Sequence, residues 1–350
     1  MNSVVLVTGG AGYIGSHTVL ALLEAGYDVV VLDNLCNSTD ESLRRVQILA
    51  GRAPHFVLGD VRNAALLDAI FKTHRIFAVF HFAGLKSVAE SSMQPLAYYQ
   101  NNVAGTFELC QAMARAGVHK FIFSSSATVY GDPVLVPISE DAPTGSPTNP
   151  YGRSKLMAEE FLRDLGKSDL SWRIGVLRYF NPIGAHPSGL IGEDSRGIPN
   201  NLLPYISQVA TGRFKVLKVF GGDYPTPDGT GMRDYIHVQD LASGHLEALR
   251  VIDTKPGVNV WNLGAGRSYS VLEMIRAFEL ASGRSIPWEI TARRPGDIAA
   301  CWADAAKASV ELNWRAKRGL CDMMDDAWRW QSKNPDGYSS VVEPGNGRAP

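Results

Sequence analysis

One glycine-rich octapeptide limits the folds open to this chain more than any other stretch. The apolar run Val4–Val7 leads into Thr8-Gly9-Gly10-Ala11-Gly12-Tyr13-Ile14-Gly15, and helical character follows to Ala25. Glycines at this spacing allow a tight turn, let backbone approach a pyrophosphate, and bring a helix close to the preceding strand. The helix N-terminus then offers free N–H groups and partial positive charge to an anion. Two registers fit: Gly9-x-x-Gly12-x-x-Gly15 and Gly10-x-Gly12-x-x-Gly15. A second apolar run, Asp28–Leu32, ends at Asp33, 18 residues after Gly15. A carboxylate there accepts hydrogen bonds from adenosine ribose hydroxyls and repels a 2′-phosphate, so NAD is expected over NADP. Asp60, after a third run, is placed either to meet the adenine amino group or to start a helix near Asn63.

The same alternation continues. His55–Leu58, Phe77–Phe82 and Lys120–Ser124 read as further strands; 12–25, 42–49, 64–72 and 96–116 read as helices. The strands are apolar almost throughout, as parallel strands buried on both faces are. The expected fold class is α/β: a doubly wound parallel (Rossmann) sheet with a smaller α/β substrate-binding domain. Residues 1–180 form the expected NAD-binding domain, rejoined by about 236–264, and 181–350 mainly the substrate domain. From Asn181 to Asp234 the chain is rich in Pro and Gly and reads as loops over the carboxyl edge of the sheet. A helix at 239–251, a strand at 258–263 and a helix at 271–281 follow. The polar tail from Asn334, and 339–350 above all, is expected to be disordered.

Composition excludes several classes. The chain has 350 residues, 45% hydrophobic and 20% charged, so it can bury a sizeable core. Its net charge is −1, without the basic excess of a nucleic-acid binder. No apolar run approaches the ~18 residues of a membrane span, and no secretory leader is read. The cysteines Cys36, Cys110, Cys301 and Cys321 fit neither a zinc pattern nor a disulfide scaffold. Reduced thiols in a cytoplasmic protein, with no metal, are expected.

The candidate chemistry lies at Tyr151-x-x-x-Lys155, a spacing that puts both side chains on one helix face. A tyrosine near pKa 10 needs a shift of about 3 units, roughly 4 kcal/mol, to act as a base near neutrality. A neighbouring ammonium and an oxidised nicotinamide are causes of the right sign. The preceding strand ends in Ser124-Ser125-Ser126, where a serine can bind the hydroxyl that loses its proton. Taken alone, the pair also fits two solvent-facing side chains. His-Glu-x-x-His, Gly-x-x-x-x-Gly-Lys and Gly-x-Ser-x-Gly are all missing. His81 and His237 sit in apolar runs and read as packed.

These residues resemble the UDP-hexose 4-epimerase family of the extended short-chain dehydrogenase/reductase superfamily over about residues 3–338. The resemblance is carried by 7–17, Leu32-Asp33-Asn34-Leu35, 81–86, 124–131, Asn149-Pro150-Tyr151-Gly152-Arg153-Ser154-Lys155, 177–182, Gly192-Glu193-Asp194, 233–238 and 293–297. It implies Tyr151 as base, Lys155 as its partner and Ser126 as ligand of the reacting hydroxyl. It implies that NAD is lined by Gly9, Gly12, Tyr13, Ile14, Gly15, Asp33, Asn34, Leu35, Cys36, Asn37, Ser38, Asp60, Val61, Phe82, Ala83, Gly84, Lys86, Asn101 and Phe180, with Ser126, Tyr151 and Lys155. For the UDP-sugar it implies Tyr179, Asn181, Asn201, Leu202, Lys218, Phe220, Arg233, Arg294, Asp297 and Cys301, again with Ser126 and Tyr151. Guanidinium forks suit a pyrophosphate, although Arg233 and Arg294 also fit surface ion pairs.

The implied reaction interconverts UDP-glucose and UDP-galactose. Tyr151 takes the 4-hydroxyl proton, C4 gives a hydride to tightly bound NAD, and the 4-keto sugar turns over before the hydride returns. Galactose metabolism is the implied setting. Three rivals stand beside it: a sugar-nucleotide 4,6-dehydratase, a uronate decarboxylase and a non-catalytic NAD sensor. Ala127 and Thr128 stand where the dehydratases carry Asp-Glu, and Thr128 where the decarboxylases carry Glu; Tyr151 and Lys155 are those a sensor tends to lose. A homodimer pairing 96–116 with the helix from Tyr151 is expected. Restrictive family members carry Tyr where Cys301 stands, so room for an N-acetyl group, and hence UDP-GlcNAc and UDP-GalNAc, is expected. A packed Cys301 with the gap refilled is the alternative.

Overall fold

The structure, a computed structural model, describes residues 3–194, 199, 201–294 and 296–339. Seven strands form the large sheet: β1 (Val4–Thr8), β2 (Asp28–Asp33), β3 (His55–Leu58), β4 (Ile76–His81), β5 (Lys120–Ser126), β6 (Arg173–Tyr179) and β10 (Gly257–Leu263). Their order is β10-β6-β5-β4-β1-β2-β3, all parallel. Val5, Leu6 and Val7 of β1 and Ile174 and Val176 of β6 are fully buried, as two-sided helical cover requires. Strand order reverses between β1 and β4, and a crevice opens at their carboxyl ends, where such sheets place ligands.

The sheet is flanked by α1 (Tyr13–Glu24), α2 (Glu41–Ala50), α3 (Ala64–Thr73), α4 (Val88–Met93), α5 (Pro95–Tyr98), α6 (Gly105–Arg115), α7 (Pro150–Ser168) and α9 (Val238–Val251). Asn63 caps α3 and Asn149 caps α7 through their side chains, each accepting a backbone N–H. The expected helix over 96–116 is interrupted: Tyr99–Ala104 is a π-helical segment between α5 and α6. The strand β6 was not anticipated; its hydrophobic run is broken by the buried Arg178.

The Pro/Gly-rich second half holds more regular structure than loops over an edge. β7 (Asn181–Ile183), α8 (Leu202–Ala210), β8 (Leu217–Phe220) and β9 (Met232–His237) are formed there. β9 pairs with β7, β11 (Ser268–Ser270) and β13 (Ala300–Cys301), and β8 pairs with β12 (Trp288–Thr291). α10 (Val271–Ser282) and α12 (Leu320–Lys333) close over α8 around Leu203, Ile206, Met274, Phe278 and Met323; α11 (Ala306–Glu311) packs on β10. Short elements separated by prolines carry too little periodicity to be seen in sequence. None of the helices among the described residues is long and apolar enough to cross a membrane.

The start of the tail is also ordered. Arg45 on α2 has a fully buried side chain and needs acceptors. Asn334 supplies one, accepting from Arg45 Nη1 at 2.6 Å while donating to the carbonyls of Gly189 and Trp330 at 2.9 Å. The guanidinium lies 5.0 Å from the centroid of the Tyr338 ring. Residues 340–350 lie outside the described residues. Asn334→Ala takes one acceptor from a buried cation, so unfolding free energy should fall by about 1–3 kcal/mol in a denaturant titration. An unchanged midpoint would show that this anchoring contributes nothing.

Candidate active site

The turn after β1 sits at the sheet's crevice. Gly9 has φ 72°, and a Cβ there would stand 2.5 Å from the Ala83 nitrogen. A Cβ on Gly15 would lie 2.2 Å from the Gly9 carbonyl oxygen. Gly12 differs: its Cβ would meet only that same oxygen, at 3.3 Å. Of the two registers left open, Gly9-x-x-Gly12-x-x-Gly15 is the one that makes the turn. Gly9 and Gly15 close the backbone, and Gly12 presents a bare face beside the N-terminus of α1. Gly10 packs on Val31. The cradle fits a dinucleotide pyrophosphate.

Asp33 ends β2 with a carboxylate that accepts from Ala11 N (3.0 Å), Leu35 N (2.9 Å) and Ser38 Oγ (2.8 Å). Leu35 takes φ 57° to allow this. Asn34, Cys36 and Asn37 are exposed beside it. Asp60 lies opposite, where Arg62 (2.7 Å) and Asn34 (3.0 Å) hold its carboxyl well below the usual range. Neighbouring Val61 is buried. Asn63 caps α3, so Asp60 is not that helix's cap. Tyr13 donates to Gly184 O at 2.6 Å, and Ile14 packs into the core. Phe82 and Ala83 follow β4, both donating their N–H groups to Thr8 O. Lys86 pairs with Glu193 at 3.0 Å, which also accepts from Asn201 at 3.2 Å. Asn101 does not reach that loop directly: it donates to Asn102, and buried Asn102 binds both the N–H and the carbonyl of Leu85 and the Ser154 hydroxyl. Asn102 was missed; its place in a π segment is a backbone feature that spacing does not reveal.

Tyr151 and Lys155 begin α7 beside the end of β5. Burial raises the Tyr151 phenol, and the Ser126 hydroxyl lowers it in opposition. Ser126 Oγ accepts from Thr128 N (3.2 Å) and Thr128 Oγ1 (2.9 Å), which leaves its own proton for another acceptor. The Lys155 ammonium donates to Ser124 O at 2.8 Å and lies 5.0 Å from the centroid of the Phe123 ring. Desolvation pulls its pKa down to about 8, against the nearby negative charge of Glu159. A Cβ on Gly84 would lie 3.5 Å from Lys155 Nζ, so the loop after β4 reaches the ammonium. Tyr179, at the end of β6, is hydrogen-bonded to His245 and kept protonated by burial. His81 is packed as expected: it bridges Thr8 and Thr106, and burial lowers it to about 3. His237 pairs with Asp326 at 3.2 Å.

Most of the sugar-nucleotide candidates come from the second half of the chain, on β7, β8, β9, β13, the start of α8 and the loop after β12. Arg233 on β9 sits opposite Cys301 in register. Arg294 pairs with Asp297 at 3.0 Å, and its guanidinium lies 4.6 Å from the centroid of the Phe220 ring. The two expected ligands thus hold each other at the surface. Lys218 and Phe220 share one face of β8, with Leu217 and Val219 buried on the other. Asn181 opens β7, and Asn201 and Leu202 start α8. Cys301 packs against the cluster of Ala127, Val129, Leu156 and Phe180, and so joins the two halves of the site. Burial raises its thiol to about 11. Asp234, also missed, accepts from the N–H groups of Ala265, Gly266 and Ala303 and locks the second sheet to the loop after β10.

The chain is similar to known proteins both in sequence and in structure. Residues 5–264 match the model of the NAD dependent epimerase/dehydratase family. The chain is 58% identical to a UDP-glucose 4-epimerase of Bacillus subtilis over 96% of this chain and 99% of that one. Its structure resembles that of UDP-glucose 4-epimerase from Bifidobacterium longum in complex with NAD+ and UDP, with TM-score 0.93 and 54% identity over 96% and 100% of the two chains. It also resembles the UDP-Glc/GlcNAc 4-epimerase of Campylobacter jejuni, with TM-score 0.82 and 38% identity over 95% and 99%. The chain therefore belongs to the NAD-dependent epimerase/dehydratase family and, within it, to the UDP-glucose 4-epimerases, isomerases that work with NAD.

Proposed function

We propose that Tyr151, Lys155 and Ser126 carry out reversible 4-epimerisation of UDP-glucose and UDP-galactose. The observation that carries this is that the glycine cradle and the Ser126–Tyr151–Lys155 set share the carboxyl edge of the large sheet, while Cys301, in register with Arg233, packs against Ala127 and Phe180 beside it. NAD, held by the cradle and Asp33, supplies a hydride acceptor for C4 and a positive charge that favours the Tyr151 phenolate. Ser126 orients the 4-hydroxyl and Tyr151 receives its proton. Lys155 supports the phenolate, and Arg233 and Arg294 keep the diphosphate in place while the hexose turns. Residues 1–180 with 236–264 serve the cofactor in this reading, and the rest of 181–350 the sugar nucleotide. Purified protein mixed with UDP-galactose and no added NAD should yield UDP-glucose; failure to do so contradicts the assignment.

Tyr151→Phe keeps the ring and removes the base. Turnover should drop by at least ~10² with folding and bound NAD preserved. Near-normal turnover would show the base to be misassigned.

Cys301 is small and borders the hexose side, so the pocket accommodates an N-acetyl group at C2, and UDP-GlcNAc and UDP-GalNAc are further substrates. Overfilling a packed site costs about 1–3 kcal/mol. Cys301→Tyr should therefore suppress the N-acetylated pair while sparing UDP-galactose. Equal loss of both activities, or a wild type inert on UDP-GlcNAc, contradicts the gate.

A homodimer and a cytoplasmic location complete the reading, the latter in keeping with the free thiols of Cys110, Cys301 and Cys321. Leu96, Phe107 and Met157 are 82%, 51% and 42% exposed on one face shared with Val103 and Phe161. Such a patch is the face expected to pair. Light scattering should give twice the 38.0 kDa chain mass, and Phe107→Glu should return it to one chain. A monomeric wild type at micromolar concentration contradicts the dimer.

A further inference from the structure

α7 repeats one spacing: Tyr151, Lys155 and Glu159 follow each other at intervals of four along the helix. Glu159 is fully buried. Its Oε1 accepts from Ser125 Oγ at 2.6 Å and from Arg178 Nε at 3.0 Å. Its Oε2 accepts from Arg178 Nη2 at 2.6 Å and from Arg163 Nη2 at 3.0 Å. Arg178 also donates to the Tyr130 hydroxyl at 2.8 Å, and to the carbonyl of Glu140 at 3.4 Å. Packing alone does not call for this pair, because apolar residues of similar volume stabilise a core as well or better.

Ser125 lies between the two positions of β5 used by the reacting groups. On one side the Ser124 carbonyl accepts from Lys155; on the other, the Ser126 hydroxyl acts on Tyr151. The Ser125–Glu159 hydrogen bond thus pins the end of β5 to α7 where a slide between them would move both contacts. We infer that Glu159 is a positioning residue for the reaction: it fixes β5 against α7 through Ser125 and holds the positive charge on Lys155. This rests on the assignment of Ser126, Tyr151 and Lys155 as the reacting set.

The surroundings of Lys155 leave this role to Glu159. From β4, His81 faces it and is kept neutral by burial, at about 3. From β6, Tyr179 is kept protonated by burial; Tyr151, on the same helix as Lys155, is also raised by burial and carries no charge until the cofactor's positive charge favours its phenolate. Glu159 is the charged group that acts on the ammonium, in the direction that favours it. The groups facing Glu159 itself are Arg178 from β6 and Arg163 and Lys155 from α7. Removing the carboxylate lowers the Lys155 pKa further, so the ammonium is lost at lower pH. The alkaline limb of the pH–rate profile then moves down.

UDP-galactose turnover by the NAD-loaded enzyme tests this. Glu159→Gln should move the alkaline limb down by about one pH unit. It should also reduce kcat by about 10- to 100-fold with little change in KM. Because it strands Arg178, the double variant Glu159→Gln/Arg178→Gln is measured beside it and should show the same shifted limb. Ser125→Ala, which leaves all charges in place, should lower kcat with the limb unmoved. Wild-type profiles in whichever charge variant folds, or a lowered melting temperature with an unmoved limb, would overturn the inference and reduce Glu159 to a structural ion pair. A wild type that leaves UDP-galactose unchanged would instead overturn the function on which it rests.

Discussion

The site depends first on how closely α1 approaches the strand before it. Gly15 has the Gly9 carbonyl where a methyl group would stand, and Gly9 has the backbone of Ala83. These two contacts bring three chain segments together: the turn after β1, the start of α1, and the loop after β4. That loop then reaches Lys155 through Gly84, and Asn102 fixes it by holding both polar groups of Leu85. A larger residue at either glycine would part the helix from the sheet and open the whole edge.

Electrostatics sets the second condition. Burial drives both members of the Tyr151–Lys155 pair toward neutrality: the phenol upward, and the ammonium down to about 8. In the proposed reaction Tyr151 has to lose its proton near neutral pH against this burial. An oxidised nicotinamide held by the cradle would supply positive charge of the sign that favours the Tyr151 phenolate. Glu159, the Ser124 carbonyl and the Phe123 ring keep Lys155 charged and in place against desolvation.

Residues whose placement follows from local chain geometry were legible in the sequence. The glycine turn, Asp33, the Tyr151–Lys155 spacing and the seryl end of β5 each belong to one element and its immediate loop. The register of the glycines was not decidable until the contact between Gly9 and Ala83 was known, because that contact joins distant segments. Asn102 was hidden by a π segment, and Asp234 by partners in two separate loops. Glu159 stood four residues after Lys155 in plain sight, but its importance comes from Ser125 and Arg178 across the sheet. Only the start of the tail, 334–338, departs from its expected disorder, because Asn334 and Tyr338 look like polar chain-end residues until the buried Arg45 is seen.

Epimerisation by hydride transfer requires the hydrogen that leaves C4 to return to the same carbon. UDP-glucose deuterated at C4 tests it most directly, incubated with the purified protein in light water without added cofactor. The expected product is UDP-galactose that retains the deuterium at C4. Deuterium replaced by solvent hydrogen at C4 would mean inversion through proton exchange and would contradict it.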